Sequence, residues 1–475
     1  MMNKPHPVYE HEFFCERKEN KYVLLWESIK TSFKEFLLWP SIIILFFLIL
    51  SFISHAIDAA NFGFLKGFVK LMEDIMFVNN KGTNSLLGAI VAGVMTIATF
   101  TITMLLIVVQ QSASSLSSQV FDRFLRSKSN QTYFGFFLGL SFFALIQLAT
   151  VNNSFNPVIG ATLVFILTLV AFFLLIVLVY TTINQMRSGV IIDSIYEHII
   201  KTEKSHLKIL ESTLRTPRYS GKTVVAVSVR RHGYLVALNL EKIGDAIKKA
   251  NEMVEVEMLV SIGSYVPYEC KVALVKASKL EDAQMVANVL CSSVQIERRR
   301  DISRDPLYGI SQLENIGWTS ISTAKSKPHT GSYIIRALGN VLLYWGKEKE
   351  SEEVKPFPIV YQDNVKEKVL DAFENLGVVS SESMQHQSFY RILNSLGLAY
   401  HRQGAQEKQR IESVILTLLS VLGEHALTHR LDQSLTDLAK LMESEDRIYV
   451  ADAIKTAHHK LKESVGKINS RSTRV

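Results

Sequence analysis

The chain contains only three cysteines, Cys15, Cys270 and Cys291, and they stand far apart in the sequence. They form no CxxC, and no histidine joins them at ligand spacing. Neither a zinc site nor a disulfide framework is indicated, and reduced thiols facing the cytoplasm are the expectation. Catalytic signatures are equally scarce. There is no P-loop, no GxSxG, no HExxH and no GxGxxG behind a strand, so the chain is read as a non-enzyme that needs no cofactor. His425 and His429 stand one helical turn apart, but without a third ligand they read as a solvated helix face. No short apolar leader with a small-residue cleavage site precedes the first apolar run at Phe36, so no signal peptide is read.

Charge is missing where it matters most. Apolar residues make up 48% of the chain and the mean hydropathy is +0.17, but the excess is concentrated between Phe36 and Tyr180. Four runs there, Phe36–Ala56, Leu86–Val109, Tyr133–Val151 and Val158–Tyr180, contain no Asp, Glu, Lys or Arg. Each approaches the ~20 residues that a helix needs to cross a bilayer. The net charge is +7. Lys4, Arg17, Lys18, Lys21, Lys30 and Lys34 precede the first run, Arg123, Arg126 and Lys128 lie between the second and third, and Arg187 follows the fourth. The 57–85 loop is mixed in charge and the 152–157 link carries none. Basic residues gather on the cytoplasmic side of spans, which predicts both termini inside, an inner-membrane location, and loops held at anionic lipid rather than nucleic acid. Asn156-Pro157 predicts a tight turn joining spans three and four.

The reading divides the chain into an N-terminal cytoplasmic segment (1–35), a four-helix membrane domain (36–180), a helical extension of span four (181–215), a small β-rich domain (216–300), a helical domain (301–468) and a tail (469–475). Short β-branched runs such as TVVAVSV and CKVALVKA, punctuated by Gly and Pro, predict a small β-barrel or sandwich. The fold class is thus membrane α-helical plus an α+β cytoplasmic region. Asp363, Asp371 and Glu374 fall in a mixed-charge helical stretch and read as surface. The basic clusters at 230–232 and 297–300 could meet phosphate, acidic lipid or a nucleotide, but read first as solubilising or juxtamembrane faces.

Within span two, Thr96, Thr103, Gln110 and Ser117 recur every seven residues with Thr99 on the same side. Such a stripe can line a wetted pore, or its hydroxyls can bond back to their own helix. Gly88 with Ala92, and Gly135 with Gly139, have the small-xxx-small spacing of close helix contacts. The second span then dissolves into serines. Phe121 and Phe124 alternate there with Arg123 and Arg126, as in an interfacial anchor.

Several local patterns coincide in order: SSQ and FDRFLRSKSNQ, then GFFLG, RHGYLVALN, IGSYVP and RDPLYGISQLENIGWTSIS. Together they resemble the bacterial predicted-membrane-protein family known as domain of unknown function 2254. The resemblance runs from about span one to the last helices. Arg123, Gly233, Tyr234, Asp305, Pro306, Gly309, Gln312, Leu313 and Ile316 match the family pattern, as do Ser322, Pro328 and Thr330 in the loop that follows. The chain departs from it at Thr319, where the family has arginine, and at Ser326-Lys327, where it has Asn-Asp. The resemblance implies architecture and location but no activity.

Two readings of function follow. One is a channel-like or regulatory membrane protein, expected to be a homo-oligomer in the bilayer. The other is a membrane-anchored scaffold or sensor whose cytoplasmic part binds a protein, lipid or small ligand.

Overall fold

The computed structural model describes residues 11–15, 37–60, 66–75, 80–115, 127–152, 155–185, 187–298, 300, 305–322, 327–345, 356–422 and 427–464. The chain divides into two compact units. One comprises residues 18–190, and the other joins residues 1–17 to 191–475.

The first unit holds four helices long and apolar enough to cross a membrane: α1 (Leu38–Ala60), α3 (Asn80–Ser115), α4 (Lys128–Thr150) and α5 (Val158–Gln185), with the short α2 (Lys66–Ile75) between the first two. Helix α4 sits centrally, packed on α1, α3 and α5. Phe47, Leu87, Val94, Phe137, Leu140, Phe143 and Ala144 fill the shared core. Gly135 lies against Pro40 and Ile43, and Gly139 against Phe47, so this glycine pair brings α4 onto α1. Gly88 has no atom within 4 Å of where a β-carbon would stand. The Gly88 side of α3 therefore makes no close helix contact among the described residues. At the α4–α5 link, Asn152 and Phe155 exchange backbone hydrogen bonds of 3.1 and 3.3 Å, closing the turn that the Asn-Pro pair predicts.

Helix α5 does not run on as one rod. It ends at Gln185, and a second helix, α6 (Ser188–Glu211), starts after Arg187, whose N–H bonds back to the Asn184 carbonyl. The apolar spacing that suggested one continuous helix belongs to two helices with different buried partners. On α6, Ile192, Ile195, Ile199, His206 and Leu210 form the buried face.

The second unit contains two open sheets. Its strands are β1 (His11–Cys15), β2 (Thr223–Val229), β3 (Gly233–Leu238), β4 (Val254–Met258), β5 (Tyr265–Val266), β6 (Cys270–Ala277), β7 (Val294–Glu297) and β8 (Ile359–Val360). The larger sheet runs β1-β2-β6-β4-β8 and the smaller β5-β3-β7. No closed barrel forms among the described residues, so the barrel or sandwich expectation is not confirmed beyond the presence of sheets. Helices α7 (Leu240–Lys249) and α8 (Leu280–Ser293) pack together, and α8 covers β2 and β6. Apolar faces on both helices complete a core with Val225, Val227, Ile243, Val256, Val275, Val286 and Leu290. Asn239 caps α7 by accepting from Lys242 N, which satisfies one of the free amides of its first turn.

Two strands of the larger sheet come from outside the 216–300 stretch. Strand β1, from the N-terminal segment, pairs in parallel with β2, and β8 pairs in parallel with β4. Parallel partners need a long crossover, so neither is visible as a local hairpin signal. Since β1 precedes the first candidate span and β2 follows the fourth, their pairing demands an even number of crossings.

The β1 placement also corrects the reading of the cysteines. Cys15 and Cys291 are joined by a disulfide across a separation of 276 residues, with Cα atoms 5.4 Å apart. Their distance in sequence is removed because β1 joins the sheet that α8 covers.

The rest of the unit is helical: α9 (Pro306–Ile321), α10 (Pro328–Tyr344), α11 (Val365–Glu382), α12 (His386–Tyr400), α13 (Ala405–Ser420), α14 (His429–Ser444) and α15 (Ile448–Ser464). Neighbours pack as α9 on α10 and α11, α10 on α12, α11 on α13, and α14 on α12 and α15.

Candidate functional site

Asp305 stands at the start of α9 and caps it, accepting at 3.0 Å from Tyr308 N, with Pro306 in the first turn. Its other carboxylate oxygen accepts from Arg300 Nε at 2.7 Å. Asp305 is 1% exposed and the Arg300 side chain 13%. The guanidinium lies between two aromatic rings, 5.0 Å from the Tyr234 centroid and 4.8 Å from that of Tyr308. Cation–π contacts of this kind are made more often by arginine than by lysine. Arg300 Nη2 is buried and has no hydrogen-bond partner among the described residues. The 297–300 cluster is thus not one solvated basic face: Arg298 is exposed and Arg300 turns inward.

The turn Ser261–Ser264 lies against this pair. Gly263 has φ +90°, and a β-carbon on it would stand 2.4 Å from Asp305 Oδ1. The turn is held to β3 by Gly263 N to Leu235 O at 2.8 Å and Leu235 N to Ser264 O at 3.0 Å. On its other side, Ile262 N donates to the Tyr361 hydroxyl at 3.0 Å and Asn364 Nδ2 to Ser261 Oγ at 3.2 Å. Tyr361 is fully buried, and burial drives its phenol above its ordinary value.

Two residues further along, Asp363 Oδ1 meets His206 Nε2 at 3.1 Å and Val365 N at 3.0 Å, and its Oδ2 accepts from Trp345 Nε1 at 2.9 Å. Burial alone would raise the carboxyl. The histidine, the indole and the backbone amide outweigh it and hold Asp363 below the usual carboxylate range. The surface reading of Asp363 is therefore corrected. It precedes α11 and faces inward, where His206 of α6 reaches it. Asp371 and Glu374 do lie on a charged surface, both bound to Arg410 at 2.7 and 2.9 Å.

Three stretches quoted for the family resemblance, RHGYLVALN, IGSYVP and RDPLYG, thus meet at one junction. Asp305, Pro306, Gly309 and Gln312 belong to it or to the adjoining turns of α9, where Gly309 packs on Ile199. Ser322, Pro328 and Thr330 do not. They sit beyond the far end of this 16-residue helix, roughly 24 Å along its axis at 1.5 Å per residue. Lys327 N bonds to Ser320 O there. The partners that the sequence reading missed are Tyr361, Asn364 and His206, whereas Arg300 stood in the 297–300 basic cluster and Gly263 in the IGSYVP stretch. Of the missed three, only His206 carries a sequence signal, a polar residue set at helical spacing among Ile199 and Leu210.

In the membrane unit, Thr96, Thr99 and Thr103 each donate to the carbonyl four residues earlier, at 2.8–3.0 Å. The stripe's hydroxyls are exposed and bonded to their own helix, and Gln110 is exposed. Ser117 and the anchor residues Phe121, Arg123, Phe124 and Arg126 lie outside the described residues, as does His425.

A polar knot joins α1, α4 and α5 instead. Gln147 Nε2 donates to Ser51 Oγ at 3.1 Å and Ser54 Oγ at 2.9 Å. Asp58 accepts from Ile159 N and Gly160 N at 2.9 and 3.0 Å, placing a carboxylate on the positive end of α5. The run to Ala56 contains His55 but no Asp, Glu, Lys or Arg, and helix α1 continues past it to Ala60 and so also carries Asp58. Among the described residues, no group of three or more His, Cys, Asp or Glu side chains is placed to hold a metal.

No curated protein and no solved structure matches the chain. A family model does, over residues 34–371, a span that takes in all four candidate membrane helices, both sheets except the edge strand β1, and the Arg300–Asp305 junction. The chain belongs to the family described as predicted membrane protein (DUF2254).

Proposed function

We propose that the chain is a membrane-anchored sensor or scaffold in which the four spans hold the protein in the bilayer and the α/β-plus-helical unit recognises a small anionic ligand. The observation that carries this is the buried Arg300 guanidinium, which contacts the Tyr234 and Tyr308 rings and is countered by Asp305 but whose Nη2 has no hydrogen-bond partner among the described residues. A buried donor without an acceptor is costly, on the order of 1–3 kcal/mol, and a carboxylate or phosphate oxygen would relieve it. The polar groups of the spans support the anchor role, because Gln147, Ser51, Ser54 and Asp58 are engaged between helices. The proposal includes the inner membrane, both termini in the cytoplasm by the basic flanks, a homo-oligomer, no nucleic-acid partner and no catalytic step.

The test is thermal stability of the full chain in nanodiscs with inorganic phosphate, citrate and nucleotides as probes. A rise in Tm with one of them, lost in Arg300→Met, is expected. No shift with any probe overturns the anionic-ligand reading. A second reading, a channel, is favoured by the exposed Thr96, Thr99, Thr103 and Gln110 face of α3, which copies could turn towards a shared axis. Planar-bilayer recordings with and without tension decide between them. Silent bilayers support the anchor, and discrete currents altered by Gln110→Leu support the channel.

A further inference from the structure

Strand β1 is the outermost strand of the larger sheet, and its final residue, Cys15, is bonded to Cys291 on α8. Both cysteines are only partly buried against the core. The third cysteine is close by in register: Cys15 lies opposite Val229, and Val229 opposite Cys270. Two strand spacings separate Cys15 from Cys270, about 10 Å, which is beyond the ~7 Å that a disulfide tolerates between Cα atoms. Burial also raises the Cys270 thiol, leaving less thiolate to compete. The fold therefore selects Cys291 as the partner of Cys15.

With the bond closed, residues 15 to 291 form a covalent ring that contains all four candidate spans. With it open, β1 is held by the parallel pairing of five residues at a sheet edge. The basic flanks of the spans put this sheet on the cytoplasmic side. Glutathione there keeps most thiols reduced, and the disulfides that do form are mainly transient or redox-sensing.

We propose that Cys15 and Cys291 form a reversible thiol–disulfide latch, exchanging with disulfides and thiols of the glutathione class, that sets whether β1 stays on the edge of β2. The proposal rests on the cytoplasmic placement proposed above. In closing, one cysteine thiolate attacks a sulfur of the small disulfide, forms a mixed disulfide and releases one small thiolate. The second cysteine thiolate then attacks the protein-bound sulfur and releases the other. The protein loses two electrons and two protons, and the small disulfide becomes two thiols. Opening is the reverse. The open state uncovers the β2 edge, a row of backbone donors and acceptors able to pair with another strand.

The test uses full-length Cys270→Ser protein in membrane vesicles, equilibrated with mixtures of reduced and oxidised glutathione, acid-quenched and labelled with a maleimide polymer. Two labels per chain in the reduced buffer and none in the oxidised buffer, reached from either direction, are expected. Hydrogen exchange at residues 11–15 should quicken about tenfold or more on opening, as local unfolding at an edge does. Thiols that stay free in oxidised glutathione overturn the latch. So does a bond that opens only in denaturant, which marks a permanent staple, and so does unchanged exchange at β1. In a Cys15→Ser companion the lone Cys291 can be blocked only as a mixed disulfide with glutathione, so intact mass decides the pairing: oxidised parent protein carrying no glutathione is expected, and a glutathione adduct on each of its two cysteines overturns the pairing. Location is read separately. A membrane-impermeant maleimide should label the reduced pair in inverted vesicles and not in right-side-out ones. The opposite pattern overturns the cytoplasmic placement even where the bond exchanges.

Discussion

Gly263 and Asp305 touch so closely that a β-carbon on the glycine would stand 2.4 Å from the carboxylate. The same glycine has φ +90°, a backbone region that L side chains rarely adopt. Gly263→Ala therefore meets both strain and a clash, and is expected to destabilise the second unit by about 1–3 kcal/mol. Gly189, in the first turn of α6 with open space around it, is the control. Gly189→Ala should be neutral or slightly stabilising, within about 1 kcal/mol. Thermal denaturation of both variants in the same detergent checks the pair, and equal behaviour would remove the argument for the 261–264 turn.

The Arg300–Asp305 pair is buried on both sides, so removing one partner strands a charge. Asp305→Ala and Arg300→Ala are each expected to destabilise by about 3–5 kcal/mol. The double variant should be less unstable than the sum, because no lone charge remains. Denaturant titration of the four proteins gives the coupling, and additive losses would show that the two side chains act independently.

Asp363, bonded to His206, makes a pH-dependent contribution. The Asp363 carboxyl lies below its ordinary value in the folded chain, so this group stabilises folding fully above its unfolded pKa of about 3.9. That stabilisation fades as pH falls through the folded value. Tm measured on acidification below about pH 4 should therefore drop more steeply for the parent chain than for Asp363→Asn. Parallel curves would assign the acid sensitivity to other carboxylates, such as Glu445 beside Lys408 and His401.

Local chemistry made the membrane helices legible in the sequence. A bilayer needs long runs free of charge, and Val158–Tyr180 can hardly be anything else. The individual strands Thr223–Val229 and Cys270–Ala277 were legible for the same reason, since their β-branched runs need no distant partner to be recognised. Their assembly was not. Strand β1 joins β2 from across the membrane domain, and a five-residue run, HEFFC, has no periodicity that announces a parallel edge. The site followed the same rule. Asp305-Pro306 could be seen as a helix start, but Arg300, Gly263 and Asp363 depend on turns that only the folded chain brings together. Asp363 read as surface because charged residues surround it in sequence, whereas its burial is decided by His206 and Trp345.

In the membrane unit, the α1–α4 contact and the α3 hydroxyl stripe make opposite predictions. A β-carbon on Gly139 would stand 2.5 Å from the Phe47 ring, a contact that a leucine could relieve only by pushing α1 away from α4. Small residues let membrane helices approach closely. Gly139→Leu should therefore loosen the bundle and lower the unfolding midpoint in a detergent–SDS titration. The Thr99 hydroxyl is exposed and bonds to the Met95 carbonyl of its own turn. Since that carbonyl also serves the helix backbone, Thr99→Val should change stability by less than about 1 kcal/mol. A large loss in Thr99→Val would mean that this face is packed against another copy, because nothing among the described residues accounts for it. Crosslinking of cysteines placed at Thr96 and Thr103 would then identify the neighbouring helix.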